Sequence, residues 1–219
     1  IPLEEYIEIQ KYAFRKYKIK TVENKHTHLV PEELEQLERL SLTDKHMKLQ
    51  KSLDAFLFCC YAGMRYSDFT NLSKKNIVDI NQETWLIYKS VKTGTEVRLP
   101  LYLLFAGKGI VILNKYRNNL ENFFRLRDNS NINKDLIIIA KLAGLSKKIS
   151  FHTARHTNAT LLIYNGVNIT TVQKLLGHKS VKTTQVYTNI MDMTIVHDLE
   201  KIKQAALGIK KKTDNSFNK

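Results

Sequence analysis

The sequence is poor in cysteine, in acidic charge and in long apolar runs, and each shortage narrows what the chain can be. Its two cysteines, Cys59 and Cys60, are neighbours. Adjacent residues lie too close for a relaxed disulfide, so there is no disulfide framework, and the pair reads as buried thiols in a reducing compartment. No apolar run approaches the roughly 20 residues that a membrane-spanning helix needs. Nor does the chain open with a charged start, an apolar core and a cleavage site, the mark of a secretory signal. The expectation is a cytoplasmic protein with no membrane partner. The first residue is Ile1 and not a methionine, so the chain is expected to be a fragment of a longer protein. No internal repeat is evident.

Aspartates and glutamates number 21 against 35 lysines and arginines, a formal net charge of +14. Such an excess favours a polyanion, because each phosphate neutralised releases condensed counterions. Nucleic acid is the foremost candidate; an anionic membrane surface or an acidic protein would be attracted too. A hydrophobic fraction of 43% in 219 residues is enough for one domain with a packed core.

Apolar spacing predicts a helix over 31–42, with Pro31 in its first turn and Glu32 and Glu33 near the positive end of its dipole. A second helix, 46–62, ends near Gly63. The period then changes. IVDI at 77–80, WLIY at 85–88 and EVRLPL at 96–101 are short, β-branched or aromatic, with Thr93-Gly94 as a hairpin turn between the last two. Helices follow near 110–127, 132–143, 152–164, 169–176, 180–189 and 192–207, with Gly144, Gly166 and Gly177 as stops. The expected fold class is mostly α with a small three-stranded antiparallel β-sheet.

Three segments hold residues suited to chemistry. In FHTARHTNAT, 151–160, His152 and Arg155 share one helix face: a fork of donors beside a group that exchanges protons near neutral pH. Such a pair fits a phosphate, although an isolated H-x-x-R is usually a solvated surface feature. His152 and His156 also have the spacing of a zinc pair, but the metalloprotease motif needs Glu where Thr153 stands. In LLGHKSVKTTQVYT, 175–188, Gly177 ends a helix, His178 follows in the turn, and Tyr187 lies further on among Lys179, Lys182, Thr183, Thr184 and Gln185. In YAGMRYSDFTNL, 61–72, Arg65 and Asp68 taken alone read as an ordinary exposed ion pair of about 0.2–0.5 kcal/mol.

Taken together, GMRYSD, a lysine in a β-hairpin, HTARH and LLGHKSVKTTQVYT resemble, in that order, the catalytic domain of tyrosine recombinases, the phage-integrase family, over residues 27–207. The spelling SVKTG…VRLPL around Lys92 is most similar to integrases of bacterial conjugative transposons and other mobile elements. The resemblance implies that Arg65 and Arg155 clamp a phosphodiester, Asp68 orients the site, and His178 adds a hydrogen bond. Lys92, with Lys89 as the less favoured substitute, becomes the general acid; His152 the candidate base; Tyr187 the nucleophile; His156 a structural support. It also implies a covalent 3′-phosphotyrosine and a Holliday junction, with no metal and no nucleotide cofactor.

The partners implied are double-stranded DNA and three further copies in a homotetramer on paired sites, with a monomer in the absence of DNA. Accessory DNA-bending or excision factors are further candidates. Residues 1–26 become the end of an N-terminal core-binding domain and its linker, 27–207 the catalytic domain with its C-terminal helix, and 208–219 a basic mobile tail. The cell would be bacterial, with the protein on the nucleoid when DNA-bound. A type IB topoisomerase and a non-catalytic DNA-binding protein of the same fold remain as alternatives.

Overall fold

The computed structural model describes residues 27–188. The linker expected before residue 27, the helix expected over 192–207 and the tail expected over 208–219 lie outside the described residues. Helix α1, Pro31–Glu38, is shorter than its apolar stripe predicts. Leu40 and Leu42 still pack on the core, but from beyond the helix end. A 3₁₀ turn, Asp44–Leu49, leads into α2, Gln50–Ala62, which is buried at every position from 52 to 62. Gly63 ends it with φ +67°, returning its N–H to Cys59 O at 2.8 Å. A Cβ at Gly63 would lie 2.6 Å from Asn158 Oδ1, so both backbone and space require glycine. The short α3, Tyr66–Thr70, follows.

Strands β1 (Ile77–Ile80), β2 (Glu83–Lys89) and β3 (Glu96–Pro100) form an antiparallel sheet in chain order. Ile77 pairs with Leu86, Leu86 with Leu99, and Tyr88 with Val97. Alternation puts Leu86, Tyr88, Val97 and Leu99 on the buried face.

The single helix expected over 110–127 is two, α4 (Lys108–Lys115) and α5 (Leu120–Phe124). Tyr116 stacks on Phe123 with ring centroids 4.1 Å apart. In one continuous helix residues seven apart would be about 10 Å apart along the axis, so the break makes this contact possible. Asn119 supplies the new N-cap, accepting the Asn122 N–H at 3.2 Å. Then come α6 (Asn129–Leu142), α7 (Phe151–Tyr164), α8 (Ile169–Leu176) and α9 (Lys182–Gln185), the last shorter than the expected 180–189. Helix α2 packs on α7, with α4 and α6 beside it, while α8 lies against β3. Cys59 and Cys60 are free, buried thiols inside α2. The mostly helical architecture with one three-stranded sheet is as expected. No helix among the described residues is long and apolar enough to cross a membrane.

Candidate active site

Helix α7 is buried at every position from 153 to 163, and Arg155, His156, Thr157 and Asn158 find hydrogen-bond partners inside the protein. Arg155, 1% exposed, donates from Nη1 to Gly63 O at 2.7 Å and from Nη2 to Leu176 O at 2.6 Å. Those carbonyls close α2 and α8, where helix ends leave acceptors unsatisfied and partially negative. Asn158 completes the arrangement, donating to Cys60 O at 2.9 Å and Tyr61 O at 3.0 Å. Two helix ends are thus capped from a third helix. Burial pulls the Arg155 pKa down to about 10, with Arg65 adding to the effect, so the group stays charged at neutral pH. A guanidinium has five N–H donors, and these two bonds use only part of that capacity.

Arg65 precedes α3, and its Nη1 lies 3.5 Å from Asp68 Oδ2 and 3.3 Å from Ser90 Oγ. Asp68 is not the exposed partner that the i, i+3 spacing predicts; it is 1% exposed. It accepts the Val91 N–H at 2.8 Å and the Ser90 hydroxyl at 3.3 Å, tying the start of the β2–β3 loop to α3. Lys92 stands at the exposed tip of that loop, and Lys89 is exposed at the end of β2. The far side of the loop is tied as well: Thr93 Oγ1 donates to Gly177 O at 3.1 Å.

Gly177 takes φ +64°, and a Cβ there would meet Val97 Cγ2 at 2.6 Å. This close approach turns the chain so that His178 enters the interior, 7% exposed, with Nδ1 2.9 Å from Thr184 Oγ1. Desolvation, then Arg155, Arg65 and His152, push the His178 pKa down to about 3, so the ring is neutral at physiological pH. Tyr187 lies just past α9, its N–H bonded to Thr184 O at 3.1 Å and only 4% of its surface exposed. Burial raises the phenol pKa, while Arg155 and Arg65 pull it back. The two arginines, His178 and Tyr187 therefore share one electrostatic site.

The phenol oxygen is 2.9 Å from Nδ1 of His156, the residue expected only as a support. His152, expected as the base, is exposed near the start of α7 and meets the His156 ring edge-on, centroids 4.4 Å apart. Ser90, Asn158 and Thr184 belong to the site; Ser90 and Asn158 carried no sequence expectation, and Thr184 stood only among the polar neighbours of Tyr187. Ser90 opens the motif around Lys92, Asn158 is a buried amide on the arginine's helix, and Thr184 lies between His178 and Tyr187. Each lies inside a quoted motif, and membership of a motif does not name a partner. Among the described residues no group of three or more His, Cys, Asp or Glu is placed to hold a metal ion.

Comparison with known proteins places the chain. The sequence profile of the phage integrase family matches residues 28–193. The tyrosine recombinase XerC of Rickettsia prowazekii (strain Madrid E) is 30% identical over 159 residues, 68% of this chain and 49% of that protein. A tyrosine recombinase of Pseudothermotoga lettingae is 30% identical over 181 residues, 80% of this chain and 60% of that protein. The chain thus spans about half to three-fifths of these relatives. Among solved structures, XerA recombinase superposes with a TM-score of 0.61 at 24% identity, covering 80% of this chain and 64% of that one. The Tn1549 transposon integrase does so at 0.56 and 18%, covering 74% and 60%. These structural likenesses speak to the fold, and the profile match speaks to the family: the chain belongs to the phage integrase family, and its described residues carry the fold of a tyrosine recombinase catalytic domain.

Proposed function

We propose that this chain is the catalytic part of a site-specific recombinase that cleaves and rejoins double-stranded DNA through a covalent 3′-phosphotyrosine at Tyr187. The observation that carries the reading is a buried tyrosine whose phenol oxygen lies 2.9 Å from His156 Nδ1 and whose pKa two arginines, Arg155 and Arg65, pull down against burial. A phosphodiester repels nucleophiles and has a poor leaving group, so catalysis requires charge neutralised on its non-bridging oxygens and a proton for the departing oxygen. Arg65 and the remaining N–H groups of Arg155 serve the first need, and His178 adds a hydrogen bond. Asp68 holds the Lys92 loop in place, and Lys92 protonates the 5′ oxygen.

The phosphotyrosine conserves bond energy, so a second 5′-hydroxyl can attack it and pass the strands through a Holliday junction. The exchange takes place in a homotetramer on paired sites, assembled from protein that is monomeric without DNA. The net charge of +14 supports DNA as the polyanion. Relatives named tyrosine recombinases favour strand exchange over supercoil relaxation by a type IB topoisomerase.

The test uses the full-length protein on a nicked duplex whose sequence is selected from a random pool by retention on that protein. Wild type should yield a protease-sensitive covalent DNA adduct on a denaturing gel, and Tyr187→Phe should yield none. An adduct that persists in the variant places the nucleophile elsewhere; binding without an adduct in wild type sinks the catalytic reading.

A further inference from the structure

We propose that His156 is the residue that aims Tyr187 and receives its proton, acting from Nδ1. This rests on the recombinase reading and assigns within it a step for which the sequence pointed to His152. The geometry is direct. Nδ1 lies 2.9 Å from the phenol oxygen, within the reach that a general base needs. The two rings sit at 51° with centroids 5.6 Å apart. Both partners are buried, His156 at 7% and Tyr187 at 4% exposed, so the bond is shielded from bulk water.

The neighbouring residues fit the role. His156 directly follows Arg155, whose guanidinium is fixed on Gly63 O and Leu176 O. One turn of α7 therefore sets both the phosphate clamp and the nucleophile's partner, and the distance between them cannot drift. His178 already has its Nδ1 on Thr184 Oγ1. His152 is exposed and meets the His156 ring edge-on. Arg155 and Arg65, ahead of α3, act on the phenol electrostatically, and Asp68 on α3 and Tyr88 on β2 act in turn on Arg155.

The Tyr187 O–H bond breaks as its oxygen bonds to phosphorus, and the proton moves to Nδ1 of His156, which must begin with its ring proton on Nε2. The bond from phosphorus to the 5′ oxygen breaks, its electron pair stays on that oxygen, and Lys92 supplies the proton there. Religation runs the same steps backwards. An imidazolium at His156, next to the guanidinium-bearing Arg155, is unfavourable by itself, and a phosphate held by the arginines offsets that penalty. Proton transfer thus waits for DNA.

The experiment measures single-turnover adduct formation from pH 5.5 to 9 on the selected nicked duplex, with full-length wild type, Tyr187→Phe, His156→Ala and His156→Asn. Asparagine keeps a hydrogen-bonding atom near the Nδ1 position but cannot take a proton, and thermal melts confirm that each variant is folded. Both His156 variants should be slowed about 100-fold or more and lose the acidic limb of the pH profile, and added imidazole should restore part of the His156→Ala rate. If His156→Asn cleaves within about threefold of wild type with its acidic limb unchanged, the assignment is wrong, while the Tyr187→Phe control leaves the recombinase reading standing. No adduct from wild type would remove the recombinase reading, and this assignment with it.

Discussion

Arg155 lies where α2, α7 and α8 meet, with 1% of its surface exposed and two backbone carbonyls gripping it; Lys92 rides an exposed loop tip. Both are cations that the recombinase reading sends to the same phosphate. The difference follows from their tasks. A group that stabilises charge on fixed oxygens works best when its dipoles are set in advance, because nothing need reorganise during reaction. A group that delivers a proton to a departing oxygen must reach it, and a loop tip allows that. Arg155 is therefore part of the fold, whereas Lys92 is only attached to it, through Val91 and Thr93 on either side.

Three experiments test this contrast, from the largest expected effect on stability to the smallest. Replacing Arg155 by alanine leaves the carbonyls of Gly63 and Leu176 unpaired and opens a cavity between three helices. Unfolding in urea should show a loss of about 3 kcal/mol or more. A midpoint like that of wild type would mean that the helix ends do not depend on the guanidinium.

The second test concerns pH. His178 titrates near 6.5 when unfolded and about 3 when folded, so on acidification the unfolded chain takes up the proton first. Its contribution is complete above pH 6.5 and is lost as pH falls through the window from 6.5 towards 3. Between neutral pH and pH 5 the loss should be about 1–2 kcal/mol. In His178→Gln the same stretch of the stability curve should flatten, and an identical slope in both proteins would contradict the buried neutral ring.

Lys92→Ala is the third. It should move stability by no more than about 0.5 kcal/mol, since the side chain lies at an exposed tip. Adduct formation on the nicked duplex should still fall sharply, and a 5′-phosphorothiolate, whose leaving group needs no proton, should restore it. A melting temperature that drops as far as that of Arg155→Ala would erase the contrast.

Much of this was legible from the residues, though unevenly. The strands announce themselves through β-branched and aromatic runs, and β2 differs from its expected span only by extending two residues earlier and one later. The break between α4 and α5 was hidden, because no proline or glycine marks it; the stacking of Tyr116 on Phe123, a tertiary contact, overrides the helical pattern. Helix α1 ended early for a related reason: Leu40 and Leu42 kept the apolar spacing while reaching the core from outside the helix. In the site, residues near one another in sequence were found as motifs. Pairings across the fold were not, and the bond from His156 to Tyr187 spans 31 positions. Burial was equally invisible: i, i+3 spacing describes an exposed Arg65–Asp68 pair and a buried one alike.

Gly177 has a consequence for how such a chain can vary. With φ +64° and Val97 Cγ2 where its Cβ would stand, this position admits a side chain only if strand β3 yields room and the turn accepts strain. The carbonyl of Gly177 meanwhile holds Thr93 in the Lys92 loop. Gly177 thus touches the loop through Thr93 and strand β3 through Val97, so a side chain at 177 must be answered by a smaller residue at 97. An engineer seeking to retune the Lys92 loop would do best to graft the loop, β3 and the turn after α8 together.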